Sequence, residues 1–144
     1  GNANWNAAAN VDRPFTIEEE RAYIGSLSER EAIHLAETAP GQIVGFQSLD
    51  LWARSLHSMR HVGQIGTFLV PGWRKRGVGR ALFRETAAFA RGADYAKFVA
   101  QIRASNTLAQ AFYGGLGFRE VGRQTRQVVV DGKEDDEVLM ELFL

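Results

Sequence analysis

Five basic side chains, Arg74, Lys75, Arg76, Arg80 and Arg84, surround Gly77 and Gly79, with no acidic residue between positions 73 and 84. Glycines clear Cβ atoms from the backbone, and a helix starting there offers unpaired N–H groups and roughly half a positive charge. The segment therefore reads as a cradle for a pyrophosphate-like anion, with the backbone from Lys75 through Gly77, Val78 and Gly79 to Arg80 as its floor. A plain strand-to-helix turn also needs glycine, but it does not need five cations. A dinucleotide-binding turn competes, because Gly77-Val78-Gly79 follows an apolar strand. Leu82 stands where its third glycine belongs, and no acidic residue ends the next strand to hold a ribose.

Other titratable groups are sparse. The chain has no cysteine, which excludes disulfides, thiolate metal sites and a cysteine acyl-enzyme. No Ser/His/Asp arrangement is recognisable, and no metal is expected. Of the three histidines, His34 inside Ala-Ile-His-Leu-Ala reads as a satisfied strand residue. His61 opens the strand leading to the glycine segment and is the best titratable candidate, ahead of His57 and Glu120. Asp50, Trp52 and Trp73 either shape a pocket or simply pack.

The elements that must position these groups follow from periodicity. Residues 1 to 15 read as an irregular Asn- and Ala-rich lead-in, and 16 to 144 as one domain. Thr16-Ile-Glu-Glu19 is a capping box opening a helix through about residue 27. Ile33 to Glu37 and Ile43 to Trp52 are strands joined across Thr38-Ala-Pro-Gly41, and Val62 to Val70 is a third, stopped by Pro71-Gly72. A helix then runs from Gly77 to about Arg91, a strand from Tyr95 to Arg103, and a short helix from its cap at Asn106 to Gly114-Gly115. Arg119 to Val130 and Glu137 to Leu144 flank Asp131-Gly132, a tight hairpin turn. The acidic run Glu134 to Glu137 reads as a solvated hairpin end. The order predicts a single α/β domain with a mixed sheet.

Composition sets the bounds. The 144 residues are 45% hydrophobic, enough for a core, and 17 basic residues balance 17 acidic ones. Neutral net charge, with no stacking aromatics near the basic loop apart from Trp73, argues against nucleic acid as partner. No apolar run reaches the roughly 18 to 20 residues of a membrane span, and no secretory leader is recognisable. A cytoplasmic protein with no membrane partner is expected.

Two blocks bring a family into view. Arg74, Gly77 and Gly79 fill the pattern Gln/Arg-x-x-Gly-x-Gly/Ala, and the segment resembles motif A of the GNAT family of N-acetyltransferases. The run Asn106-Thr-Leu-Ala-Gln-Ala-Phe112-Tyr113-Gly-Gly-Leu-Gly117-Phe118 resembles motif B of the same family, at the right distance, and the ending Asp131 to Met140 is similar to its last hairpin. The resemblance covers roughly residues 16 to 144. It implies a GNAT-like α/β fold whose mostly antiparallel sheet is splayed at its middle, flanked by helices.

It further implies acetyl-CoA as co-substrate and direct transfer to a primary amine, of a small molecule or of a peptide or protein, in a ternary complex. The backbone at Thr67 and Leu69 would bind the pantetheine arm and polarise the thioester carbonyl, and the loop from Arg74 through Lys75, Arg76 and Gly77 to Arg80 would hold the pyrophosphate. Asn106 would bond the arm, and Tyr113 would sit beside the sulfur as general acid, since a phenol with pKa near 10 can protonate or hydrogen-bond a departing thiolate. The positions where related enzymes often carry a glutamate base are Gln64 and Gln101 here, which leaves His61 as candidate base. The same glutamines motivate an alternative, a CoA-binding regulatory module without catalysis. The family's first strand and helix precede Thr16, and residues 1 to 14 read as too short and polar to supply both, so a truncated or atypical lead-in is expected. A homodimer through the C-terminal strands is compatible with the resemblance.

Overall fold

The computed structural model describes residues 27–144; the lead-in and the helix expected from the capping box at Thr16 lie outside the described residues. Strand β1 (Ala32–Ala39) turns at Gly41, whose φ of 81° lies in the left-handed region, into β2 (Gln42–Leu51). Strand β3 (Val62–Leu69) ends at Pro71, and a single 3₁₀ turn over Pro71–Trp73 carries the chain into the basic loop. Helix α1 (Val78–Gly92), β4 (Lys97–Arg103), α2 (Thr107–Gly115), β5 (Arg119–Val130) and β6 (Lys133–Phe143) complete the order.

The six strands form one sheet in the order β1-β2-β3-β4-β6-β5. Every neighbouring pair is antiparallel except β3 and β4, and that parallel pair holds register only from Val62↔Lys97 to Gln64↔Val99. Past those residues the two central strands diverge, which opens the expected splay. The tight turn at Asp131-Gly132 has φ of 52° and 74°, both positive as a two-residue type I′ hairpin requires.

Leu82, Thr86, Ala87 and Ala90 recur at helical spacing on α1 and are buried, pressing it against β1, β2 and β3. Leu49, Ile65, Phe98, Ile102 and Val138 meet them from the sheet, and Phe118 closes the core from beyond α2. Burial of each large apolar side chain contributes ~1.5–3 kcal/mol.

Two strand starts differ from expectation. β4 begins at Lys97 because Asp94 takes φ 67° and the Tyr95 N–H donates to Ala90 O at 3.0 Å, which makes Tyr95 part of the helix exit. β6 begins at Lys133, so the acidic run lies within the ladder: Asp136 accepts from the Arg126 N–H at 2.7 Å and from Arg123 Nη1 at 3.0 Å. Three residues of β5 bulge against Asp136 there, with Arg126 at φ 49°.

Candidate active site

The basic loop ends in an anion-ready backbone. Gly77 is the N-cap of α1 with φ 81° and ψ 0°, no side chain caps the helix, and its first turn carries no acidic residue. A left-handed residue followed by right-handed helix turns successive N–H groups to one side, making a concave nest with the helix dipole behind it. Arg80 Nη2 donates to Gly115 O at 3.2 Å, tying the start of α1 to the end of α2. The Arg76 guanidinium lies over the Trp73 ring, 4.8 Å from its centroid. Gly79 is helical and buried, and a Cβ there would meet Phe112 Cε1 at 2.6 Å. Its bareness lets the aromatic floor of α2 approach the helix start.

Between α1 and α2 lies a cavity of about 650 Å³. Arg74, Lys75, Gly77, Gly79 and Arg80 line one end; Thr67, Leu69, Asn106 and Tyr113 line it too. Arg76 and Val78 stand off the lining, and Arg84 is exposed on α1. Leu108, Ala109 and Phe112 give the cavity apolar walls that the reading of single residues had not singled out; their signal was the helical spacing of motif B itself. Asn106 Oδ1 accepts from the Ala109 N–H at 3.1 Å as the N-cap of α2, which fixes the side chain with its amide nitrogen available to a ligand.

Backbone direction on β3 follows from one bond. The Val70 N–H donates to Val44 O at 2.8 Å, toward β2. Strand N–H groups alternate sides with period two, so those of Leu69 and Thr67 point the other way, into the gap left by β4.

Tyr113 is 4% exposed, packed edge-on against Phe112 and Phe118 with ring centroids 5.2 and 5.1 Å away. Its hydroxyl lies 2.8 Å from Thr67 Oγ1, which in turn accepts from Gln47 Nε2 at 3.0 Å. Burial pushes the phenol up to about 12, against the Thr67 hydrogen bond, which pulls it down. The group is a neutral donor throughout the physiological range. Gln47 was not singled out from sequence; its signal was a polar residue two positions before the buried Leu49, on the same inward face of its strand.

On the opposite face of the sheet, Gln64 Nε2 donates to Gln101 Oε1 at 2.8 Å, bridging the two central strands where they part. His61 does not join this cluster. It is exposed at the far end of β3, where its carbonyl accepts from Ala96 and Lys97. Six residues of strand put it ~20 Å from Thr67, so the structure does not bring the candidate base His61 together with Thr67 and Tyr113. His57, in a 3₁₀ turn, and Glu120, on β5, are exposed as well. His34 Nδ1 lies 3.3 Å from Thr86 Oγ1 and its ring meets Phe89 edge-on, as expected of a packed histidine. Among the described residues no group of three or more acidic or histidine side chains could hold a metal, and no helix is long and apolar enough to cross a membrane.

An uncapped cationic helix start thus lies beside a divided sheet, with a buried phenol across the cavity, and comparison with known proteins gives the family. The profile of the Acetyltransferase (GNAT) family matches residues 3–118, and the chain belongs to that family. Among curated relatives, it is 33% identical over 94 residues to the N-alpha-acetyltransferase RimI of Mycobacterium tuberculosis, covering 65% of this chain and 56% of that protein. It is 27% identical over 101 residues to the aminoglycoside N(6')-acetyltransferase type 1 of Klebsiella aerogenes, covering 69% of this chain and 66% of that one. The match thus spans less than two thirds of either relative. Among solved structures, the ribosomal-protein-alanine N-acetyltransferase of Brucella melitensis superposes with a TM-score of 0.86 at 23% identity, covering 99% of this chain and 91% of that one. The Sinorhizobium meliloti phosphinothricin acetyltransferase in complex with acetyl-CoA gives 0.85 at 19% identity, covering 96% and 75%.

Proposed function

We propose that the chain transfers the acetyl group of acetyl-CoA directly to a primary amine in a ternary complex. The observation that carries this is one cavity with a bare, cationic helix start at one end and the Thr67-bonded phenol of Tyr113 in its wall. Its residues fit the donor. The nest at Gly77 with Arg74 and Lys75 suits the pyrophosphate, and the walls at Leu69, Ala109 and Phe112 suit an apolar arm. The gap-facing N–H groups of Thr67 and Leu69 can bond that arm as a further strand would, and hold the thioester oxygen.

Acetyl-CoA supplies an activated acetyl thioester. The splay lets an amine reach that carbon from the face opposite α1, at the glutamine bridge, so the chain's part is positioning and charge stabilisation. Tyr113 donates a hydrogen bond to the sulfur as negative charge develops there. Full proton transfer from a phenol at about 12 to a free thiolate near 8.5 would be uphill by ~5 kcal/mol. The hydrogen bond held while the carbon–sulfur bond breaks is therefore its contribution; the thiolate leaves as such, and the proton that the attacking nitrogen must shed passes to solvent water through the splay.

Gln64 and Gln101 are bonded to one another and accept no proton from the substrate. A lysine-like amine is neutral about one part in 2,500 at pH 7, ~4.6 kcal/mol of cost, while an α-amine near pKa 8 costs ~1.4. We take an α-amine, of a peptide or protein, as the preferred acceptor; the RimI relative is named as an N-alpha-acetyltransferase.

Titration calorimetry with acetyl-CoA tests the donor half. Wild type should bind saturably, and Gly79→Glu should weaken binding at least about a hundredfold, because a carboxylate would enter the nest and displace Phe112. No binding at millimolar acetyl-CoA would sink the proposal.

A further inference from the structure

Gln47 sits wholly buried on β2, opposite Thr67 in the β2–β3 ladder. Its Nε2 donates to Thr67 Oγ1 at 3.0 Å, while its Oε1 has no hydrogen-bond partner among the described residues. A leucine or methionine of similar volume would leave no unpaired carbonyl in the core. What glutamine alone contributes there is the N–H aimed at Thr67.

That N–H has a directional consequence. A threonine hydroxyl holds one proton and two lone pairs. The Gln47 amide N–H takes one lone pair and cannot accept, so among the described residues the Tyr113 oxygen at 2.8 Å is the acceptor left for the Thr67 proton. Thr67 then donates and Tyr113 accepts, so the phenol's own proton turns away from Thr67 into the cavity that both residues line. In the reverse sense Tyr113 would spend its proton on Thr67 and have none for the sulfur. Donation into the phenol oxygen also strengthens the phenol as a donor, since successive hydrogen bonds polarise one another.

We propose that Gln47 is a positioning residue: acting through Thr67, it sets the direction of the hydrogen bond at Tyr113 so that the phenol proton faces the reacting thioester. The inference rests on the role given to Tyr113 above. Steady-state kinetics of Gln47→Leu, in wild type and in the Tyr113→Phe background, test both and tell them apart. We expect Gln47→Leu alone to lower kcat about tenfold, with the KM for acetyl-CoA and the melting temperature held, and to cost nothing further once Tyr113 is Phe.

Equal losses in the two backgrounds would show that Gln47 merely packs, and would overturn the proposal. So would an unchanged kcat in Gln47→Leu alongside a slow Tyr113→Phe. Should Tyr113→Phe itself turn over normally, the role of Tyr113 falls and this inference falls with it. Thr67→Val and Thr67→Ser repeat the cycle if Gln47→Leu does not fold: Val should match the loss, and Ser, which keeps the hydroxyl, should restore the rate. A Ser variant as slow as Val would overturn the relay.

Discussion

At the residue scale, Gly77 and Gly79 share a motif and differ in purpose. Both read from sequence as clearing the way for an anion. Gly77 does so by adopting φ 81°, with open space around the position its Cβ would take. Gly79 clears the way for Phe112, 2.6 Å from where a Cβ would stand. Such a contact, made by residues 33 apart in sequence, is invisible to motif spacing. Gln47 was hidden for the same reason: its meaning lies in Thr67, across a strand pair, and in Tyr113, on a helix much later in the chain.

Tyr113 carries a residue-scale prediction. Burial pushes the Tyr113 hydroxyl up to about 12, above the ordinary phenol value of 10, so the fold favours the neutral phenol. That contribution is fully present below pH 10 and is lost as pH rises through about 12. Tyrosinate absorbance of wild type minus Tyr113→Phe should show one phenol titrating near 12, and wild type should lose more stability than the variant between those values. A difference titrating near 10 would contradict the burial of this hydroxyl.

At the scale of elements, what was legible is what turns and caps encode. The type I′ dipeptide, the proline stop after β3 and the Asn106 cap fall where residue chemistry puts them. The starts of β4 and β6 moved because tertiary bonds decide them: Tyr95 is held by Ala90 and by donating its hydroxyl to Arg30 O, and Asp136 is held by the bulge of β5. Glu31 plays the corresponding part at the entry to β1. Its carboxylate, 5% exposed, accepts from the N–H groups of Ser28 and Leu51 and pairs with Arg54 at 2.8 Å. Burial alone would raise its pKa, but the Ser28 and Leu51 bonds and the Arg54 charge outweigh it and hold it below the usual carboxylate value.

A lowered folded pKa means that this stabilisation is present above the unfolded value and lost as pH falls. Glu31→Ala should therefore cost ~1–3 kcal/mol at neutral pH, chiefly by leaving the Ser28 and Leu51 N–H groups without their acceptor and Arg54 without its partner. Its melting temperature should converge on that of wild type as acid protonates Glu31. A constant gap down to the lowest pH that the fold survives would show that the carboxylate's charge is irrelevant.

At the scale of the whole molecule, the short β3–β4 pairing matters most. Three register pairs hold the centre of the sheet together, and beyond them its two halves part. The order of elements and the two motifs made that architecture legible in the sequence. The acceptor side was not, because it depends on which residues of β3 and β4 share a face and how far each lies from the gap. His61 shows the difficulty: it is adjacent to β3 in sequence and belongs to the wrong end of it in space. The Gln64–Gln101 bridge, by contrast, spans the point of divergence with two neutral side chains.

The most direct test of acetyl transfer is release of the CoA thiol from acetyl-CoA by the purified chain, measured with and without peptides bearing a free α-amine, lysine ε-amines and aminosugars. The account predicts release that depends on added amine, fastest for α-amines at neutral pH, and lowered about a hundredfold in Tyr113→Phe with acetyl-CoA affinity unchanged. Saturable acetyl-CoA binding with no amine-dependent release from any of the three, or full turnover by Tyr113→Phe, would contradict it.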